Sequence, residues 1–162
     1  RVLFRSVMFL DPNIREIFIQ DRQKHLARMM RMIALADIVK LSDEDLAWFA
    51  EPGEEHAVIR RWLALGPKLI VVTRGADGAD AWTANFHLHV PGIRVTVADT
   101  VGAGDTVNAG ILASLSQAGL LEKPKLVTLS REQVRRAVDL GMRAAAVTVS
   151  RPGANPPWDH EL

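Results

Sequence analysis

The chain has 162 residues, enough for one domain with a buried core, and a formal net charge of +1. Apolar residues make up 48% of it and charged residues 24%, which is typical of an ordinary globular protein. The small net charge gives no electrostatic reason to expect nucleic acid or a membrane surface as a partner. The chain has no cysteine. This excludes disulfides and cysteine-ligated metals, and it is compatible with the cytoplasmic location that we expect.

Short apolar segments alternate with amphipathic helical patterns along the chain. The run LIVVT, at 69–73, is typical of a strand covered on both faces. Strands are predicted over 7–10, 37–41, 69–73, 79–83 and 86–90, the last two as an antiparallel pair. Helices are predicted over 21–36, from an N-cap at Ser42 to Trp48, over 54–65 and 103–118, and from a capping box at Ser130 and Gln133 onward. This alternation predicts an α/β fold with a largely parallel sheet.

The first six residues, RVLFRS, are unusual for the start of a protein. They contain no initiator Met and resemble the translation of a DNA-sequencing adaptor. We therefore expect residues 1–6 to be non-native sequence and residues 7–162 to carry the protein. The alternative is that they form a genuine strand edge or linker.

The stretch ADTVGAGDTVNAG, at 98–110, places glycines around the start of a predicted helix. A helix N-terminus has unpaired amide groups and a partial positive charge, and glycine lets the backbone approach an anion closely. Gly102, Ala103 and Gly104 therefore predict a nest for phosphate or for a developing negative charge. The stretch lacks the Gly-Lys-Ser/Thr of a Walker A loop and the third glycine of a dinucleotide fingerprint.

Asp105 is unexpected in this turn, because a carboxylate repels a bound phosphate. It makes sense as a base that takes a proton from an incoming hydroxyl while the neighbouring amides hold a phosphoryl group, as in a small-molecule kinase. The alternative is that Asp105 only caps the helix and complements its dipole. Spacing alone leaves both interpretations open.

The same stretch resembles the second signature of the ribokinase-like sugar and nucleoside kinases. Three further stretches resemble motifs of that family in the same order: FLDPNIR at 9–15, VVTRGADGA at 71–79 and SRPGANPPW at 150–158. The DPNIR and RPGANPP forms are most similar to the fructokinase branch. The resemblance implies a three-layer α/β fold with a mainly parallel central sheet. It also implies ATP-dependent phosphorylation of a sugar hydroxymethyl group, with fructose as the expected acceptor.

The resemblance also implies roles for single residues. Asp105 would be the catalytic base, and the amides around Gly102, Ala103 and Gly104 would form the anion hole. The residues implied at the nucleotide and its phosphates are Thr73, Gly75, Asn108, Met142, Ser42, Asn13 and Arg15. Met142 departs from the small polar residue often found at its position and fits a protein core equally well. Arg15 would neutralise phosphate charge or pair with a structural acid.

Two cation sites are implied as well. Asp99, the carbonyl group of Val101 and the region of Gly153 would hold a monovalent cation, expected to be K⁺. The alternative for Asp99 is a turn-forming residue. Asp45 would help to organise Mg²⁺ together with Ser42, which stands where the family usually has an asparagine. The same spacing would also result from a plain helix cap at Ser42.

The resemblance covers only part of such a kinase. The N-terminal half of the family, with most sugar-binding residues and a small β lid, has no counterpart here. We therefore expect a C-terminal nucleotide-binding part that has little or no activity alone, and a parent that dimerises through the lid. The alternative acceptors are ribose and a 2-keto-3-deoxy sugar acid. The alternative function is a noncatalytic nucleotide- or phosphate-binding module, for which Asp105 would have no use.

Overall fold

A five-stranded mixed sheet lies at the centre of the computed structural model, which describes residues 6–50 and 52–162. The strands, which lie in the sheet in chain order, are β1 (Phe9–Leu10), β2 (Ile38–Ser42), β3 (Leu69–Thr73), β4 (Ala79–Trp82) and β5 (His87–Val90). The first three strands are parallel, whereas β4 and β5 form an antiparallel hairpin beside β3. Apart from Ser6, the residues expected to be non-native lie outside the described part of the chain.

The helices are α1 (Arg22–Leu35), α2 (Asp43–Phe49), α3 (Glu55–Leu65), α4 (Ala103–Gln117), α5 (Lys123–Leu126) and α6 (Arg131–Val149). Side chains satisfy free amides at several helix starts: Ser42 caps α2, and Ser130 caps α6 in a capping box with Gln133. These two predicted caps are confirmed. The sequence does not predict α5, because four residues that include Pro124 show no helical periodicity. No helix in the described part of the chain is long and apolar enough to cross a bilayer.

Helices cover both faces of the sheet, so the fold has three layers. Leu69 and Val71 of β3 pack toward α4 and α6, whereas Ile70 and Val72 pack toward α1, α2 and α3. This alternation follows from the two-residue period of a strand, and it explains why the whole run is apolar. The three-layer α/β fold and the strand at 69–73 are confirmed.

The helices α4 and α6 pack closely against each other along one seam. A Cβ atom added to Gly110 of α4 would lie 2.5 Å from the Cα atom of Gly141 on α6, so only glycine permits this approach. Near the start of α4, the hydroxyl of Thr106 donates to the carbonyl oxygen of Gly102 at 2.8 Å. The same hydroxyl lies 3.0 Å from that of Thr148 on α6. The seam therefore fixes the glycine turn that precedes α4.

Candidate functional site

The carboxyl ends of the three parallel strands meet at one edge of the sheet, where ligands bind in α/β folds. Ser42, the last residue of β2, is in register with Thr73, the last residue of β3. The register of β1 with β2 also brings Asp11 beside Lys40. The glycine turn before α4 lies against this edge and helps to enclose two cavities.

The first cavity, the polar cleft, has a volume of about 810 Å³. Its lining is rich in charged side chains and includes Asp11, Arg15, Lys40, Asp43, Glu44 and Asp105. The second, the apolar cavity, has a volume of about 600 Å³. Its lining includes Ile93, Val95, Val97, Val107, Met142 and Ala145. Both cavities are bordered by Thr73, Gly75, Thr100 and Gly104. A ligand with an apolar ring and an anionic tail would therefore fit across the two.

The backbone of the glycine turn offers free amides to the polar cleft. Gly102 is the N-cap of α4 with φ of 79°, a left-handed conformation that favours glycine. The amide of Ala103 already donates to the carbonyl oxygen of Thr100 at 3.2 Å. The amides of Gly102, Gly104 and Asp105 have no acceptor among the described residues. The structure thus favours the amide of Asp105 over that of Ala103 as the third donor of the predicted anion hole.

Asp105 is the third residue of α4, and it is exposed at the polar cleft. The N-cap of the helix is Gly102, and no side chain caps it. The alternative that Asp105 caps the helix is therefore wrong, although its charge still complements the helix dipole. The carboxylate is accessible to a ligand in the cleft, and its role as a base stays a prediction.

Asp99 joins the glycine turn to the C-terminal loop. Its Oδ1 accepts a hydrogen bond from the amide of Val101 at 2.9 Å, and its Oδ2 accepts one from the amide of Gly153 at 3.0 Å. These bonds, first that of Val101 and then that of Gly153, hold the pKa of Asp99 below its ordinary value. The three residues predicted for the monovalent cation thus lie together. The same hydrogen bonds are also those expected if Asp99 only stabilises a turn, which is the alternative interpretation. The monovalent cation therefore stays a prediction.

Asp45 connects the loop after β1 with the start of α2. Asp45 is 8% exposed, and its Oδ1 accepts a hydrogen bond from the amide of Ile14 at 2.8 Å. Its own amide donates to the Ser42 hydroxyl at 3.0 Å. For the predicted magnesium role, Asp45 keeps its Oδ2 and a second lone pair on Oδ1. Asn13 has φ of 45° and lines the polar cleft with Arg15.

Six of the seven predicted nucleotide residues line one or both cavities, with Ser42, Asn13 and Arg15 in the polar cleft. Thr73, Gly75 and Met142 border the apolar cavity, and Met142, which is 8% exposed, is also part of the core. Asn108 is directed elsewhere: its Nδ2 donates to Asp11 Oδ2 at 2.9 Å. Its Oδ1 is buried without a hydrogen-bond partner among the described residues. Asn108 therefore supports the floor of the polar cleft and does not line the apolar cavity.

Lys40 is a feature of the cleft that the sequence motifs miss. It is 4% exposed, and its Nζ lies 3.1 Å from Asp11 Oδ2. A Cβ atom added to Gly104 would lie 2.9 Å from the same Nζ, so the absence of a side chain there makes room for the ammonium group. The sequence does contain a sign of this pair, which is a lysine inside an otherwise apolar strand. A lysine is almost never buried unless it is paired, so a buried lysine there implies an acidic partner.

Arg74 also borders the polar cleft, but acidic residues hold it. Its Nε and Nη2 donate at 2.8 Å to Asp80 and Glu55. The rings of His87 and His89 lie 3.2 and 3.0 Å from Asp80 Oδ1. Burial alone would raise the pKa of Asp80, but the hydrogen bonds from Arg74, His89 and His87 outweigh it and lower that pKa. The guanidinium group is therefore committed to this network.

Comparison with known proteins supplies an independent view of the site. A family model described as pfkB family carbohydrate kinase matches residues 3–161. A fructokinase from Rhizobium leguminosarum bv. trifolii is 51% identical over 133 residues, which cover 82% of this chain and 41% of that protein. The motifs that suggest a sugar kinase thus belong to a similarity that extends along nearly the whole chain.

Solved structures are similar as well. One is a fructokinase double mutant from Vibrio cholerae O395 in a form with fructose, ADP and potassium ion bound. It has a TM-score of 0.74 and 31% identity, covering 90% of this chain and 45% of that one. Another is a putative ribokinase II from E. coli in complex with ATP and Mg²⁺. It has a TM-score of 0.74 and 26% identity, covering 91% of this chain and 44% of that one. The chain spans about half the length of the proteins that it matches.

Proposed function

This chain belongs to the pfkB family of carbohydrate kinases, and we propose that it carries the nucleotide-binding part of an ATP-dependent fructokinase. The reaction would transfer the γ-phosphate of ATP to a hydroxymethyl group of fructose. The choice of fructose is supported by the 51% identity to a fructokinase. The proposal includes Mg²⁺ and K⁺ as cofactors and a cytoplasmic location.

The observation that carries the proposal is the position of Asp105. Its carboxylate is exposed at the polar cleft, next to the free amides of Gly102, Gly104 and its own residue. Those amides would hold the charge of the phosphoryl group, and the carboxylate would accept the proton of the attacking hydroxyl. This combination suits phosphoryl transfer, in which positioning and charge stabilisation do most of the work.

The two cavities suit the two ends of the nucleotide. The adenine ring would occupy the apolar cavity beside Met142, and the phosphates would pass Thr73, Gly75 and Gly104 into the polar cleft. This path would bring the terminal phosphate near Asp105. A dinucleotide cofactor is not needed to explain the arrangement.

The residues present fit both proposed cations. Among the described residues no three acidic or histidine side chains are grouped to hold a metal ion by themselves. Mg²⁺ is usually bound by one or two carboxylates together with substrate phosphates, and the carboxylates of Asp43, Glu44 and Asp45 border the polar cleft. When bound there, Mg²⁺ would neutralise charge on the phosphates. The Asp99 carboxylate would contribute to the K⁺ site with Val101 and Gly153, since each of its oxygens keeps a second lone pair.

The test is a phosphoryl-transfer assay on a completed chain. The part of the Rhizobium leguminosarum fructokinase that precedes the matched region would be joined ahead of Val7. ADP release would then be measured with fructose, ribose or a 2-keto-3-deoxy sugar acid. We expect turnover that is fastest with fructose, and little or none from the 162-residue chain alone.

Asp105→Asn in the fused chain is expected to slow turnover about 10²- to 10⁴-fold with little change in ATP binding, as for the loss of a general base. Asp139→Asn, an exposed aspartate on α6, is the control and should leave turnover unchanged. A fastest rate with another sugar would replace the acceptor. ATP binding without turnover in a folded fusion would favour the noncatalytic module.

A further inference from the structure

We propose that Lys40 contacts the terminal phosphate of the bound nucleotide and neutralises its charge. The inference rests on the proposed function and deepens it. It assigns a role to a residue that neither the sequence motifs nor the comparisons identify.

The burial of Lys40 is the first reason. Its side chain is 5% exposed, and a buried ammonium group is costly unless its donors are satisfied. An ammonium group has three donors, and the acceptor found for it among the described residues is Asp11 Oδ2 at 3.1 Å. That oxygen is shared with the Asn108 amide at 2.9 Å. The remaining donor capacity suits an anion in the cleft.

The position of the ammonium group points to one end of the nucleotide. Lys40 lines the polar cleft together with Asp105 and is not part of the apolar cavity. Its Nζ lies directly behind Gly104, where an added Cβ would be 2.9 Å away. A nucleotide that enters from the apolar cavity would reach this point with its terminal phosphate, on the Asp105 side of the turn.

The charge balance of the cleft gives the third reason. Five acidic side chains line it within the described residues: Asp11, Asp43, Glu44, Asp45 and Asp105. Mg²⁺ would offset part of this negative charge, and a cationic side chain of the protein would offset more of it. Arg74 is held by Asp80 and Glu55, and Arg15 is exposed with Nη1 bonded to the carbonyl oxygen of Ile14. Lys40 is the cation that is both buried and adjacent to the glycine turn, where screening by water is weakest.

A purely structural role would consist of balancing the charge of Asp11. The two roles predict different binding patterns. A structural lysine affects the stability of the fold and the affinities for all nucleotides alike. A phosphate ligand affects the affinity for ATP and leaves that for AMP nearly unchanged.

The experiment is calorimetric titration of the 162-residue chain with ATP, ADP and AMP in the presence of Mg²⁺. For Lys40→Met we expect ATP affinity to fall about 10- to 100-fold, as for the loss of a hydrogen bond between charged groups. The affinities for ADP and AMP should change by less than about threefold. Lys123→Met is the matched control. Lys123 also pairs with an aspartate, Asp37, and its side chain is 30% exposed. Lys123 does not line either cavity.

Folding of each variant would be checked by circular dichroism. If Lys40→Met does not fold, Lys40→Met combined with Asp11→Asn removes both charges and is judged by the same ratio of ATP to AMP affinity. An unchanged ratio in either folded variant would overturn the role of Lys40 and leave the proposed function standing. A folded wild-type chain that binds none of the three nucleotides would overturn both.

Discussion

The polar cleft and the apolar cavity lie on opposite sides of one glycine turn, but different kinds of side chain line them. The polar cleft takes its side chains from the loop that follows β1, from β2 and the first turn of α2, and from the start of α4. The apolar cavity takes its lining from the segment before the turn and from the inner face of α6. Charged side chains would determine what binds in the polar cleft, whereas the shape of an apolar surface would determine what binds in the apolar cavity. A single ligand can use both because the bordering residues are small: Thr73, Gly75, Thr100 and Gly104.

This difference indicates that the two cavities recognise different parts of a ligand. Apolar burial recognises a ring by fit, whereas amides and charged side chains recognise the phosphates. Disturbing one cavity should therefore change the response to one end of a nucleotide and spare the other. The seam between α4 and α6 supports both cavities, so damage to it should impair them together.

The largest effect is expected from Gly110→Ala, which acts on the shared seam. The new Cβ atom would lie 2.5 Å from the Cα atom and 2.8 Å from the backbone nitrogen of Gly141, contacts that no rotamer change can relieve. We expect a loss of about 2–3 kcal/mol in the free energy of unfolding, the upper part of the range for overpacking. Chemical denaturation would measure it. Ser116→Ala on the exposed face of α4 is the control and should stay within about 0.5 kcal/mol.

Val149→Trp is expected to break the apolar cavity alone. Val149 is half-buried and lines that cavity, so the larger ring would occupy the space assigned to adenine. The affinities for ATP, ADP and adenosine should each fall about tenfold or more, while that for tripolyphosphate stays unchanged. The control is Val147→Trp, a half-buried position on the same helix that does not line this cavity. An equal loss with tripolyphosphate would contradict the division of roles.

Gly104→Ala is expected to disturb the polar cleft from its border. The added methyl group would lie 2.9 Å from Lys40 Nζ, the far end of a flexible side chain, so the ammonium group would shift and the fold would remain. We expect a melting temperature close to that of the wild type and a loss of ATP affinity of about tenfold or less. Adenosine affinity, measured on the same sample, should not change. A fall in adenosine affinity as large as that of ATP would show that the two cavities are not separable here.

The smallest effect is expected from Asp99→Asn, which weakens the two hydrogen bonds that join the glycine turn to the C-terminal loop. The pKa of Asp99 is lowered in the folded chain by the amides of Val101 and Gly153. The carboxylate therefore stabilises the fold above the pKa of an unfolded aspartate, and this contribution is lost as the pH falls through the lowered folded value. The melting temperature of the variant should be slightly lower than that of the wild type at pH 7. The difference should vanish in strongly acidic buffer. A constant difference at every pH would exclude the charge as its cause.

Local patterns in the sequence predict much of this fold. The strand at 69–73 and the caps at Ser42 and Ser130 depend on neighbouring residues, and the structure confirms them. The pairing of Lys40 with Asp11 depends on the register between β1 and β2, which neither segment specifies by itself. The same limit applies to Asn108 and to Arg74.

The glycine turn shows a second limit of the sequence. Its composition predicts a nest of amides, but which amides stay free depends on the bond from Ala103 to the carbonyl oxygen of Thr100. That bond follows from the left-handed conformation at Gly102. A motif can thus locate an anion site without naming its donors.

Calorimetric titration of the chain with ATP and Mg²⁺, with and without K⁺, is the most direct test of the central claim that one nucleotide occupies both cavities. Adenosine and tripolyphosphate would be titrated as the separate halves of the ligand. The account predicts saturable ATP binding that is tighter than that of either half and that improves with K⁺. A chain that is folded by circular dichroism but binds ATP no more tightly than tripolyphosphate would contradict it.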